Sequence, residues 1–242
     1  MPVSLKNQVA LVMGASSGIG RACAVALAHN GVNVIASARR EERLRDLQSE
    51  LRQQGANVEI EVADTSDSHA MSRVADSALK VSGKIDILVY ASGTNTPDRS
   101  MQRLKPDIWD NLISVNLNGA YYTTQAVLPA MREAKSGHLI YISSISGLVP
   151  DVSGAAYQAS KRGVLGLAHA IRVEEKENGI RTCVICPGLV ETEILNKRPV
   201  KPTADVLAKA LQPEDVAEVV VAVAQLHPRV AIPELQIMPT VL

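Results

Sequence analysis

Phenylalanine is absent from the chain and tryptophan occurs once, so the core has to be assembled from valine, isoleucine, leucine and alanine rather than from stacked rings. That aliphatic stock suits strands buried on both faces, as in a parallel sheet. An excess of either charge is also missing. With 25 basic side chains against 25 acidic ones, no global field draws the protein to nucleic acid or to an anionic membrane, and a small, locally recognised partner fits better. No apolar run approaches the length of a bilayer span, and the opening MPVSLKNQVALVMGASSG lacks the charged, apolar and cleavage regions of a secretory leader. The three cysteines, Cys23, Cys183 and Cys186, are too few for a disulfide framework and point to a reducing, cytoplasmic setting. Cys183 and Cys186 do form a C-x-x-C. Their segment RTCVICPG reads as a strand, however, where such a spacing sends side chains to opposite faces and rules out a redox pair.

What is present is an alternation. Short β-branched runs, QVALVM, VNVIAS, NVEIEV, DILVY, HLIYIS, RTCVIC and ELQIM, are separated by longer segments of helical period near 18–29, 41–54, 67–81, 107–134, 155–178 and 213–226. This is the sequence form of βαβ units, so the expected fold is a single α/β domain over residues 1–242: a doubly wound, parallel sheet of about seven strands flanked by helices. Asn30-Gly31 and Asn178-Gly179 close helices, and Pro106 and Pro213 open them. One segment breaks the alternation. Residues 189–210, with two prolines and four basic side chains, lie between a strand and a helix and read as a connector or a substrate lid.

The first strand runs directly into Gly14-Ala15-Ser16-Ser17-Gly18-Ile19-Gly20 and then into a helix. Glycines allow a tight turn and close backbone approach, while the helix start offers unpaired N–H groups and a positive dipole end to a phosphate. Strand, glycine turn and helix in that order are the context of dinucleotide binding. The second strand ends in Ala38-Arg39-Arg40, without the carboxylate that would accept from a ribose 2′-hydroxyl. Arg39 or Arg40 could instead pair with a 2′-phosphate, which favours NADP(H) over NAD(H).

Farther along, the helix at 155 opens with Tyr157-Gln158-Ala159-Ser160-Lys161, and this interval places phenol and ammonium on one helical face. A neighbouring cation favours phenolate, so the expected effect of Lys161 is to lower the Tyr157 pKa toward neutrality. Ser143-Ser144 lies at the end of HLIYIS, and parallel α/β sheets bind ligands at the carboxyl ends of their strands.

Nearly the whole chain resembles the short-chain dehydrogenase/reductase family, a branch of the Rossmann fold. The resemblance is carried, in order, by MGASSGIG, Asp64 after the third strand, Asn116 in SVNLNG, Ser144 before YQASK, and Pro187-Gly188 followed by Thr192. It implies interconversion of a carbonyl and an alcohol of a small molecule, with Tyr157 as acid/base, Ser144 bonded to the substrate oxygen, Lys161 on the nicotinamide ribose and Asn116 positioning a relay water. For the cofactor it implies contacts from Asp64 to adenine and from Thr192 to the carboxamide, with Ala91, Gly93, Pro187, Gly188 and Val190 along the same groove and no metal. It also implies a homodimer or homotetramer. Two departures, Met13 in place of threonine and Tyr90-Ala91-Ser92-Gly93 in place of Asn-Asn-Ala-Gly, predict altered local hydrogen bonding. The ending ELQIMPTVL lacks the glycine-rich finish common in acyl carrier protein reductases. Lys197, Arg198 and Lys201 are candidates to recognise an anionic substrate group, and Tyr90, Asn95 and Trp109 are candidates to line the cleft. A non-catalytic NADP(H) sensor is the competing reading, although it has little use for Ser144, Tyr157, Lys161 and Asn116 together.

Overall fold

Residues 2–241 are described by a computed structural model. The apolar runs form β1 (Val9–Met13), β2 (Asn33–Ala38), β3 (Val58–Val62), β4 (Ile87–Tyr90), β5 (Gly137–Ile142), β6 (Ile180–Pro187) and β7 (Glu234–Ile237). They make one sheet of 7 strands in the order β3-β2-β1-β4-β5-β6-β7. All six pairings are parallel, and in the centre Leu11 lies between Ile35 and Leu88. Parallel neighbours require crossovers, and these supply α1 (Gly18–His29), α2 (Glu41–Gln53), α3 (Ser68–Ser82), α4 (Pro106–Ile113), α5 (Gly119–Ala134), α6 (Ala155–Glu174), the single turn α7 (Ala204–Leu207) and α8 (Pro213–Ala224).

The sheet separates two cores. Ala10 and Val12 face Leu27 of α1, Leu47 of α2 and Val220 of α8, while Val9, Leu11 and Met13 face Met71 of α3, Met131 of α5 and Val164 of α6. This is the doubly wound arrangement expected from the alternating runs. Cys183 belongs to the first core and Cys186 to the second. Burial pushes their thiols up to about 12 and about 11, so the C-x-x-C is two inert core residues.

The helix expected over 107–134 is interrupted. Between α4 and α5, residues Ser114–Asn118 form a π-helical turn, and a turn of that kind adds a residue to the helix and leaves carbonyls looking for new partners. Tyr90, at the end of β4, answers one of them: its hydroxyl donates to the Val115 carbonyl at 2.6 Å. The helical period on either side is uniform, so the sequence carries no mark of the break. The helix expected over 155–178 stops at Glu174 and continues as a 3-10 turn that ends at Gly179, with φ +69°. Within 189–210 the only regular pieces are a 3-10 turn, Glu193–Lys197, and α7.

β1 and β4 are adjacent although two βα units separate them in sequence. Their following segments leave toward opposite faces, and the crevice this opens at the carboxyl ends of the strands is where α/β sheets place ligands.

Candidate active site

A cleft of about 680 Å³ occupies that crevice. The turn after β1 forms one wall. Gly14 has φ +81°, and a Cβ there would sit 2.8 Å from the Ser92 nitrogen. At Gly20 a Cβ would sit 2.3 Å from the Gly14 carbonyl oxygen, so the turn closes only with glycine at both positions. Ser17 caps α1 with extended backbone and no side-chain hydrogen bond. The first-turn N–H groups of α1 therefore keep their donors free, together with the positive end of the dipole. Such a cradle suits a pyrophosphate.

At the end of β2, Arg40 donates to Ser16 Oγ at 3.1 and 3.0 Å and also to Ser17 Oγ. Its remaining nitrogen meets the Glu193 carboxylate at 2.8 Å, and Arg43 bonds the other oxygen of the same carboxylate. Hydrogen bonds from Arg40 and then Arg43 pull the Glu193 carboxyl down to about 2. At the end of β2, Arg40 and Arg43 together hold one carboxylate, that of Glu193 from the segment 189–210. Neither Arg43 nor Glu193 was anticipated. Arg43 was legible as the i+3 partner of Arg40 on the first turn of α2, whereas Glu193 arrives through tertiary structure. Arg39 approaches Asp64 at 3.5 Å. Partial burial works against ionisation of Asp64, but Ser66 and Arg39 outweigh it and hold the carboxyl below its usual range.

The opposite end of the cleft holds Ser144, Tyr157 and Lys161. Ser144 follows β5 and caps the 3-10 turn Ile145–Gly147, accepting from the Ser146 N–H at 3.2 Å. Its neighbour Ser143 points the other way, donating to the Lys161 carbonyl at 2.9 Å and pinning β5 to α6. Lys161 is 5% exposed, and its Nζ donates to the Ile142 carbonyl at 2.9 Å. Burial lowers its pKa to about 8. The ammonium stands 5.8 Å from the Tyr157 ring centroid. The phenol does not shift in the expected direction: desolvation raises its pKa, while Ser144, Arg198 and Arg99 draw it back only in part. Helical spacing conveys the attraction between Lys161 and Tyr157 but not the burial of both groups, which here outweighs it.

Asn116 is fully buried behind the cleft rather than on its wall. Its Oδ1 accepts from the Thr94 N–H at 2.8 Å, and its Nδ2 donates to the Thr94 carbonyl and to Ser160 Oγ, each at 3.0 Å. The π turn aims this side chain inward, where it ties the loop after β4 to α6. Among the other expected cofactor contacts, Ile19, Ala91, Gly93, Pro187, Gly188, Val190 and Thr192 line the cleft, the last with its methyl 3.2 Å from where a Gly18 Cβ would lie.

Three expectations about the substrate end are corrected. Tyr90 is 1% exposed and serves the π turn instead of the cleft. Trp109 lies outside the cleft lining. Lys201 faces a separate cavity of about 660 Å³ on the far side of Glu193, so only Lys197 and Arg198 reach the cleft, joined by Asn95. Sequence reasoning missed Arg99 and Asp151 there. Both sit on loops without periodicity, and nothing in their spacing singles them out.

The family model for short chain dehydrogenases matches residues 8–202, and the chain belongs to that family of oxidoreductases. An uncharacterized oxidoreductase of Staphylococcus saprophyticus is 34% identical over 98% of this chain and 99% of its own length. A 3-oxoacyl-[acyl-carrier-protein] reductase of Thermotoga maritima is 32% identical over 91% of each chain. Among solved structures, a metagenomic short-chain oxidoreductase in complex with NADP superposes with a TM-score of 0.85 at 36% identity, covering 98% of this chain and 99% of that one.

Proposed function

We propose that the protein is an NADP(H)-dependent oxidoreductase that interconverts a carbonyl and a secondary alcohol, with Tyr157 as the general acid/base. The observation that carries this reading is the meeting of Ser144, Tyr157 and Lys161 in one cleft with the glycine turn and the arginine seat. The residues fit the cofactor. The uncapped start of α1 would take the pyrophosphate, Arg40 and Arg43 would take the 2′-phosphate in place of the Glu193 carboxylate, and Asp64 would meet the adenine. The NADP complex of the related metagenomic enzyme agrees with that choice.

The nicotinamide, when bound, supplies or accepts the hydride. Everything else falls to the chain. Its raised pKa keeps the Tyr157 phenol protonated near neutrality, which is the form that gives a proton to a carbonyl oxygen as negative charge develops there. The Ser144 hydroxyl donates to the same oxygen and stabilises that charge. Lys161, mostly charged near neutral pH, would hold the ribose side and steady the phenol. Asn116 fixes Thr94 and Ser160, and with them the spacing between the loop and α6. Segment 189–210 acts as a lid, held to the body through Glu193. Exposed apolar side chains on α4 and α5, Trp109 at 37% and Tyr121 at 45%, fit burial between copies in a homodimer or homotetramer.

A screen of carbonyls with NADPH and NADH, and of alcohols with the oxidised forms, tests the reading. NADPH gives the faster turnover. An equal or better rate with NADH overturns the role assigned to the arginines, and tight coenzyme binding without any turnover favours the sensor instead. Reduction of the 3-oxo group of a carrier-bound acyl chain is a second reading, favoured by the relative from Thermotoga maritima.

A further inference from the structure

The substrate end of the cleft is unevenly charged. Arg99, on the loop between β4 and α4, is 8% exposed and yet has no carboxylate within salt-bridge distance among the described residues. Its Nε donates to the Thr96 carbonyl at 3.0 Å and one terminal nitrogen donates to the Lys197 carbonyl at 2.7 Å, while the other terminal nitrogen makes no hydrogen bond. Arg198 lines the same cleft, also without an ion-pair partner. The one carboxylate close by is Asp151, and both its oxygens are committed: Oδ1 to the Ser153 N–H at 2.8 Å, Oδ2 to the hydroxyls of Ser146 and Ser153. Burying a guanidinium without a counter-charge is costly unless a ligand restores the balance. Arg99 and Arg198 line the same cleft as Ser144 and Tyr157.

Resting on the oxidoreductase reading above, we propose that the substrate is a small oxo or hydroxy carboxylate, its carboxylate held by Arg99 and Arg198 and its carbonyl or hydroxyl oxygen at Ser144 and Tyr157. A planar guanidinium grips a carboxylate through two parallel hydrogen bonds, which a neutral ester cannot reproduce in charge. Arg99 also joins the loop after β4 to the lid through the Lys197 carbonyl. Binding of the acid would therefore steady the lid at the point where it crosses the site.

The test pairs pyruvate, acetoacetate and levulinate with their methyl esters. Binding to the protein saturated with NADP+ is followed by calorimetry and turnover with NADPH by absorbance. At least one acid binds about thirtyfold tighter than its ester, the worth of a good hydrogen-bonded charge pair. Arg198→Gln, a change at a more exposed position, removes most of that preference, and Arg99→Gln does the same. If Arg99 were only a strut, Arg99→Gln would weaken acid and ester alike. Equal binding of acid and ester to the unaltered protein overturns the proposal whatever the turnover shows. Acid-selective binding without turnover leaves the anion site standing and removes the catalytic reading instead.

Discussion

At the scale of single residues, the site works against the stability of the fold. Lys161 is charged in a buried place, and its pKa of about 8 lies below the 10.5 of a free lysine. The difference corresponds to a cost on the order of 3 kcal/mol wherever the unfolded chain and the fold both carry the proton. The sign follows from proton uptake. Below about pH 8 the cost is present in full, and between about 8 and 10.5 the fold sheds its proton before the unfolded chain does, so stability rises across that window. Lys161→Met is expected to melt no lower than the parent protein at pH 7, to lack the gain on the alkaline side and to lose turnover. Melting curves recorded from pH 7 to 10 check it, and a variant several degrees less stable at every pH would show that the bond to the Ile142 carbonyl outweighs desolvation. The motif made Lys161 and Tyr157 recognisable, since their interval is local. The direction of their pKa shifts was not legible, because burial is contributed by β5, the loop after β4 and segment 189–210.

At the scale of elements, the sequence departs from its family at Tyr90, and the structure gives the departure a job. The phenol replaces a short amide at the end of β4 and reaches the Val115 carbonyl that the π turn leaves open. Both groups are buried, so losing the bond strands an acceptor. Tyr90→Phe should cost about 1–3 kcal/mol of stability. Because Asn116 is on the same turn, turnover should fall more than coenzyme affinity. Denaturant unfolding and NADPH titration of the variant read the two effects separately, and a parent-like unfolding midpoint would contradict the account. The break itself was invisible in sequence: residues 107–134 keep one helical period throughout, and a π turn is set by what its carbonyls meet in space. Strands and glycine turns behaved differently. The β-branched runs and the Gly14, Gly18 and Gly20 spacing are locally determined, and all seven strands formed where the runs predict them.

At the scale of the molecule, one sheet assembles a reaction site from segments scattered along the chain. The proposed cofactor cradle belongs to the first βα unit, the proposed acid/base to the helix after β5, and the proposed lid to the connection after β6. Only the first two were legible, since each is a short motif on a regular element. The third depends on Glu193 crossing to Arg40 and Arg43, a contact across 153 and 150 residues respectively. The substrate end was half legible: Lys197 and Arg198 stood out as charges in an irregular segment, whereas Arg99 acquires meaning only through its burial. In the proposed function these parts serve one act, transfer of a proton between the Tyr157 hydroxyl and a substrate oxygen. Turnover and NADPH binding measured side by side for Tyr157→Phe test that act most directly. The expected result is a drop in turnover of at least about a hundredfold while NADPH binds within about twofold of the parent protein. Turnover within a few-fold of the parent, in a variant that still binds NADPH, would contradict it.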